Sequence, residues 1–104
     1  MKDYVYHMTR MGNVKSILKN GLIPSHSYGL MNRKDGKSYF TDSLKYMDIM
    51  ARDILSIDEY CILKIMVQNY FFVPIWWKGK RYHEWFTKNK INSKDISIFK
   101  IKKL

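Results

Sequence analysis

The first quarter of the chain changes from a strand-like to a helix-like pattern of apolar residues. Residues 4–7 alternate and are rich in β-forming side chains, which predicts a short first strand. Asn13 is a suitable N-cap for a helix that should end at Asn20 and Gly21, because glycine commonly follows the last helical turn. The apolar face of this helix would consist of Val14, Ile17 and Leu18.

The second quarter begins with the longest predicted loop. Residues 25–37 are rich in glycine and polar side chains, and long loops in small domains are often functional. Residues 37–41 have a strand pattern, after which Asp42 or Ser43 can cap a second helix that extends to about Leu55. Its apolar face would consist of Leu44, Met47, Met50, Ala51 and Ile54.

Four further strands are predicted in the second half of the chain, over residues 60–67, 71–77, 81–87 and 96–101. The strand at 60–67 is apolar on both sides, which is typical of a central strand, whereas Pro74 indicates an edge strand or a bulge. Segregation of the strands toward the C-terminus predicts an α+β fold with two helices and a split, mostly antiparallel sheet. We expect residues 1–104 to form a single domain.

Composition agrees with a compact domain outside the membrane. Hydrophobic residues make up 46% of the chain, enough for one core, and no apolar stretch approaches the roughly 20 residues that a spanning helix needs. The N-terminus lacks the pattern of a secretory signal, so we expect a cytoplasmic protein without a membrane partner. The single cysteine, Cys61, has apolar neighbours, which predicts a buried, unreactive thiol.

The formal net charge of +10 favours an anionic partner, namely nucleic acid, a dinucleotide or an acidic protein surface. Much of the lysine has a simpler explanation, because the abundance of Lys, Ile, Asn, Tyr and Met is what an AT-rich genome imposes. Charge therefore favours nucleic acid without deciding the question.

Several segments, in order along the chain, resemble the ADP-ribosyltransferase superfamily. The opening strand and helix of the family are matched by Tyr-His-Met-Thr at residues 6–9 and by residues 13–24, which contain Gly-Leu at the predicted end of the helix. The second motif is matched by Ser-Tyr-Phe-Thr at residues 38–41, and the central strand by residues 60–65. The third motif is matched by His-Glu-Trp-Phe at residues 83–86, followed by the connection at residues 91–96. The opening is similar to that of bacterial DNA-modifying toxins and of poly- and mono-ADP-ribosyltransferases with a His, Tyr, Glu triad. The resemblance implies a minimal ADP-ribosyltransferase-like fold and NAD as co-substrate.

The resemblance also implies roles for individual residues. Glu84 would be the catalytic carboxylate that accepts a hydrogen bond from the nicotinamide-ribose 2'-hydroxyl and stabilises positive charge in the transition state. Tyr39 would stack on the nicotinamide ring, with Tyr46 as the opposite aromatic wall. His7 would hydrogen-bond the adenosine-side ribose, and Thr9 would support the turn.

The diphosphate of NAD needs other donors, because the chain has no Gly-x-Gly-x-x-Gly turn. Arg10 and Arg33 are the basic candidates, since arginine pairs bidentately with phosphate oxygens. No metal is expected, because His7, His26 and His83 share no ligand spacing.

Each of these residues also has an ordinary structural interpretation. His7 at a strand end is more often a hydrogen-bonded structural histidine, Tyr39 alone suits a core, and Arg10 and Arg33 suit a solvated surface. Glu84 is harder to explain in this way, because a carboxylate within an aromatic strand is costly to bury.

The resemblance therefore implies an NAD-dependent ADP-ribosyltransferase acting on nucleic acid or protein. The small size and unusual composition would suit a toxin or phage effector, a role that no individual residue encodes. One alternative is a non-catalytic module of the same fold that binds NAD, ADP-ribose or nucleic acid. Its nucleic-acid patch would consist of Trp76, Trp77, Trp85, Tyr82, Phe86, Lys78, Lys80 and Arg81, although Phe86 and at least one tryptophan suit the core better. A related 2'-phosphotransferase is less favoured, because the chain has few arginines.

Overall fold

The computed structural model describes residues 3–24, 35–54 and 58–103. Its strands and helices follow in the order β1 (Tyr4–Thr9), α1 (Val14–Asn20), β2 (Ser38–Thr41), α2 (Leu44–Ile49), β3 (Glu59–Met66), β4 (Val73–Trp77), β5 (Lys80–Thr87) and β6 (Ile96–Lys103). Two short 3-10 turns, Met11–Asn13 and Ser93–Asp95, precede α1 and β6. The predicted α+β class is confirmed.

Helix α1 ends where the sequence predicts. Gly21 has a φ of +88°, and its N–H donates to the carbonyl of Ile17 at 2.8 Å. A Cβ at Gly21 would lie 2.4 Å from the carbonyl oxygen of Ile91, so the close approach of residue 91 requires glycine here. At the other end Asn13 precedes the helix without capping it, and its side-chain amide donates to Thr9 Oγ1 at 3.4 Å.

Helix α2 is fixed to the end of β2 by two successive side-chain acceptors. Thr41 Oγ1 accepts a hydrogen bond from the N–H of Ser43 at 3.1 Å, and Ser43 Oγ accepts one from the N–H of Tyr46 at 3.2 Å. Ser43 is therefore the N-cap that the sequence suggested. The helix continues as the π-helical segment Met50–Ile54, and the predicted end at Leu55 lies outside the described residues.

The six strands form one sheet in the order β4-β5-β2-β1-β3-β6, and every neighbouring pair is antiparallel. Strand β3 has a neighbour on each side, in agreement with its two-sided apolar pattern. Strand β4 lies at an edge and its register shifts between Pro74 and Trp76, as the proline indicated. Between β1 and β2 the register is limited to the pair Tyr6 and Thr41, whereas β1 pairs with β3 along its whole length.

Each face of the sheet has its own apolar cluster. Val5 and Phe40 contribute to the cluster that packs on Val14 and Ile17 of α1, and we call this side the α1 face. Tyr6 contributes to the second cluster, which packs on residues of α2, and we call this side the α2 face. The members of the second cluster are Tyr6, Met47, Ala51, Tyr60 and Ile62. Because successive strand residues point to opposite faces, β1 and β3 each contribute to both clusters.

Cys61 is fully buried, and burial raises the pKa of its thiol, which agrees with the predicted inert cysteine. Within the described part of the chain, no helix has the length and apolar character needed to cross a bilayer.

Candidate functional site

A carboxylate and a phenol meet on the α2 face of the sheet. Glu84 lies on β5, directly opposite Thr41 of β2. Its Oε2 accepts a hydrogen bond of 3.2 Å from the hydroxyl of Tyr46, which lies in the first turns of α2. Both side chains are half-buried. The contact joins the helix to the second strand from the sheet edge.

Tyr39 shares this face with Glu84. It pairs across the strands with Phe86, and the two ring centroids are 6.4 Å apart. Since Glu84 is two residues from Phe86 on the same strand, Tyr39 and Glu84 are diagonal neighbours, a relationship in which long side chains reach one another. The structure thus brings Tyr39, Tyr46 and Glu84 to one side of the sheet.

A short polar segment borders Tyr39. The Tyr39 hydroxyl donates to the carboxylate of Asp35, and this hydrogen bond holds the pKa of Asp35 below its usual value. The ammonium group of Lys37 lies 4.4 Å from the centroid of the Phe86 ring, an arrangement that permits a cation-π interaction. Asp35 and Lys37 were not among the predicted site residues. The sequence signal that could have found them is their spacing, because residues 35, 37 and 39 are two apart and so point to the same side of an extended chain.

His7 is placed differently from the other members of the predicted triad. Its imidazole packs beside Phe40 on the α1 face, with ring centroids 5.3 Å apart, and is 3% exposed. Nδ1 lies 2.7 Å from the carbonyl oxygen of Tyr39. A carbonyl can only accept, so Nδ1 carries the proton in this arrangement. Nε2 is buried without a hydrogen-bond partner among the described residues.

Burial controls the protonation of His7. Desolvation lowers the pKa of the imidazole to about 4, and the hydrogen bond to Tyr39 opposes this shift without cancelling it. His7 is therefore neutral near pH 7 and links β1 to β2 from the α1 face. Thr9, which is also fully buried, points to the same face, so Met8 is the residue of β1 nearest the α2 face at this level.

Of the other arginines and histidines considered in the sequence, the structure describes Arg10 and His83. Arg10 is exposed and follows β1 directly. Arg33 and His26 lie outside the described residues. The side chain of His83 is 75% exposed, and its Nδ1 is 3.6 Å from the carboxylate of Asp42. Across residues 3–24, 35–54 and 58–103, no three His, Cys, Asp or Glu side chains are grouped in a way that could hold a metal ion.

The chain matches no protein-family model, no curated protein and no solved structure.

The chemistry that the α2 face can perform is therefore inferred from the side chains present on it. It offers an oriented carboxylate in Glu84, a hydroxyl beside it in Tyr46, and an aromatic ring diagonal to it in Tyr39. Such a set can stabilise a developing cation next to a flat aromatic group.

The predicted aromatic and basic patch is divided by the structure. Trp85 is 2% exposed and belongs to the core, so it cannot serve in a surface patch. Trp76 is 60% exposed, Lys78 and Lys80 are exposed, and Phe86 is half-buried. The side chains of Trp77, Arg81 and Tyr82 are outside what the structure describes. The surface part of this patch thus lies at the β4–β5 hairpin.

Proposed function

We propose that this protein is an NAD-dependent ADP-ribosyltransferase that uses the α2 face to bind the nicotinamide end of NAD. The supporting observation is the hydrogen bond from Tyr46 to Glu84 on the face that Tyr39 shares. Cleavage of a pyridinium glycosidic bond is helped by an oriented carboxylate that stabilises the developing positive charge and by an aromatic ring on the same face that can stack on the leaving pyridine.

The proposed reaction breaks the bond between the nicotinamide nitrogen and C1' of its ribose. The bonding electron pair leaves with nicotinamide, which becomes neutral, and C1' gains oxocarbenium character. A nucleophilic atom of the acceptor then donates an electron pair to C1' and releases its proton to solvent. Glu84 stabilises the cationic sugar, an effect typically of about 3–4 kcal/mol for a preorganised group.

The two tyrosine rings provide the walls of the proposed nicotinamide site. Tyr39 is the diagonal neighbour of Glu84 on β2, and Tyr46 contacts Glu84 from α2, so a planar ring between the two tyrosines would bring its ribose toward that carboxylate. Aromatic faces in offset contact contribute about 0.5–1.5 kcal/mol beyond the buried area. Lys37 and the exposed Arg10 are candidate partners of the diphosphate, as is Arg33, which lies outside the described residues.

The proposed role of His7 is to hold the β2 backbone in place. The imidazole binds the carbonyl of Tyr39 itself, so it fixes the residue whose ring would contact nicotinamide. A direct bond from His7 to the adenosine ribose, and a supporting role for Thr9, stay predictions. The bond from His7 would need β1 and β2 to separate enough to expose the buried Nε2.

The test uses NAD labelled on the adenylate phosphate, incubated with the full chain and with cell lysate or oligonucleotides. Transfer of label to nucleic acid or protein, or release of ADP-ribose, is expected for the wild type. Glu84→Gln should slow either reaction at least about 100-fold, because the charge is lost while the shape is kept. Glu59→Gln is the matched control, since Glu59 is exposed on β3. Equal activity of Glu84→Gln and wild type would refute the proposal.

A non-catalytic binding module is the second candidate, and the exposed Trp76 beside Lys78 and Lys80 favours it. Such a surface can stack on a base and neutralise phosphate. This candidate predicts that Trp76→Ala weakens oligonucleotide binding while calorimetry detects NAD or ADP-ribose binding without turnover.

A further inference from the structure

A lysine-rich depression lies between α1 and the segment that precedes β6. It has a volume of about 720 Å³ and is lined by Ser16, Lys19 and Asn20 of α1 and by Lys90, Asn92 and Lys94, among others. Helix α1 packs on the face of the sheet opposite to Tyr39 and Glu84. The depression is therefore distinct from the proposed nicotinamide site.

The backbone beneath this depression is firmly held. Leu22 and Ile91 are fully buried and exchange two hydrogen bonds, of 2.9 and 3.0 Å, from N–H to carbonyl. Gly21 permits this approach, and the aliphatic stem of Lys90 lies over it, 3.2 Å from where a Cβ would be. The two lining segments thus keep a fixed backbone spacing, so the positions that carry the lysines are set before any ligand binds.

No carboxylate in the described part of the chain compensates the charge of the depression. Lys19, Lys90 and Lys94 are all exposed, and none of them forms an ion pair with a described acidic residue. The described lining contains no Asp or Glu, while Ser and Asn side chains add hydrogen-bonding groups. The nearest carboxylate in sequence, Asp95, accepts a hydrogen bond from the Tyr70 hydroxyl.

We propose that this depression binds the phosphodiester backbone of a nucleic-acid strand. A site for a single phosphate usually surrounds it with inward-pointing donors, often backbone N–H groups or arginine forks. Here three exposed ammonium groups spread over an open concavity, which suits several phosphates in a row. The hydroxyl and amide groups between the lysines can donate to the same phosphate oxygens. This binding requires no reaction at Glu84.

The test is fluorescence anisotropy of a labelled 20-nucleotide single-stranded DNA with the full chain at several salt concentrations. Replacing all three lysines, as Lys19→Gln, Lys90→Gln and Lys94→Gln together, should weaken binding at low salt at least tenfold. The slope of log affinity against log salt should become shallower by about 2, since each phosphate contact on a single strand contributes about 0.7. Glutamine removes the charge and keeps the first two methylene groups of the lysine side chain.

The matched control replaces three exposed lysines elsewhere, Lys45, Lys100 and Lys103, with glutamine and so changes the net charge equally. It should weaken binding less than threefold. An equal loss in both variants, or no binding by the wild type, overturns the proposal. Displacement of the strand by inorganic phosphate, but not by chloride of equal ionic strength, would also overturn it in favour of a single-phosphate site. Glu84→Gln should bind as wild type, so failure of catalysis and failure of this site are distinguishable.

Discussion

The hydroxyl of Tyr46 donates a 3.2 Å hydrogen bond to Oε2 of Glu84, and this contact fixes the carboxylate relative to Tyr39 on the neighbouring strand. Tyr46→Phe keeps the ring and removes the bond. We expect kcat for NAD turnover to fall roughly 5- to 30-fold, as loss of about 1–2 kcal/mol implies, with little change in NAD affinity. Tyr4→Phe, the same change at the start of β1, should leave kcat unchanged. Unaltered kcat in Tyr46→Phe would show that the bond does not orient the carboxylate.

Two substitutions at Tyr39 separate stacking from hydrogen bonding. Tyr39→Phe loses the bond to Asp35 but keeps the ring, so NAD affinity measured by calorimetry should stay within about twofold of wild type. Tyr39→Ala loses the ring and should weaken NAD binding about tenfold, since an aromatic contact is worth about 0.5–1.5 kcal/mol in addition to its buried area. If Phe weakens binding as much as Ala does, the hydroxyl and not the ring contacts the ligand.

The burial of His7 predicts that the folded protein becomes less stable as the pH falls. Its pKa in the folded state is about 4, below the usual 6.5, so the unfolded chain binds more protons between these values. The contribution of His7 to the free energy of unfolding is therefore fully present above pH 6.5 and is lost as the pH falls toward 4. From pH 7 to pH 5 the loss is about 2 kcal/mol.

Urea unfolding across this pH range measures the effect. The variant His7→Gln should lack this part of the pH dependence, whereas His83→Gln should retain it, because the His83 side chain is exposed. An NMR titration midpoint near 6.5 for the His7 imidazole in the folded protein would contradict the prediction.

Gly21 and Gly12 form a matched pair for stability. Gly21→Ala forces a Cβ to within 2.4 Å of the Ile91 carbonyl at a φ of +88°, which should cost at least about 2 kcal/mol of unfolding free energy. Gly12 has no atom within 4 Å of an added Cβ, so Gly12→Ala should change stability by less than about 0.5 kcal/mol. Thermal or urea unfolding distinguishes the two outcomes. Similar stability of both variants would mean that the bridge between Leu22 and Ile91 is dispensable.

The proposed biological role as a toxin or phage effector has a cellular readout. Induced expression of the wild type in bacteria should arrest growth through modification of a host macromolecule, and Glu84→Gln should relieve the arrest at equal protein level. Arrest by both forms would separate any toxicity from the transferase reaction.

The kinds and order of the elements could be predicted from the sequence, because they depend on local periodicity and end signals such as Gly21 and Ser43. The arrangement around the site could not. Alternation places Tyr39 and Thr41 on one side of β2, but which side of β1 joins them depends on the single register pair of Tyr6 with Thr41. A shift of one residue would exchange His7 and Met8 between the faces. The bond from Tyr46 to Glu84 is likewise long-range, since it depends on how α2 packs on the sheet.

The limited pairing of β1 with β2 makes their junction the weakest line across the sheet. The pairs β1 with β3 and β2 with β5 are laddered over successive residues, whereas this junction has Tyr6 with Thr41 and the side-chain bond of His7. Bending should concentrate there, as it does at hinges. Tyr39 and Glu84 belong to one half of the sheet and Met8 to the other, so a small pivot would change the width of the space between them while both ladders stay intact. The two halves of the sheet would then close on a ligand as nearly rigid bodies, with the change in backbone angles confined to the β1–β2 junction.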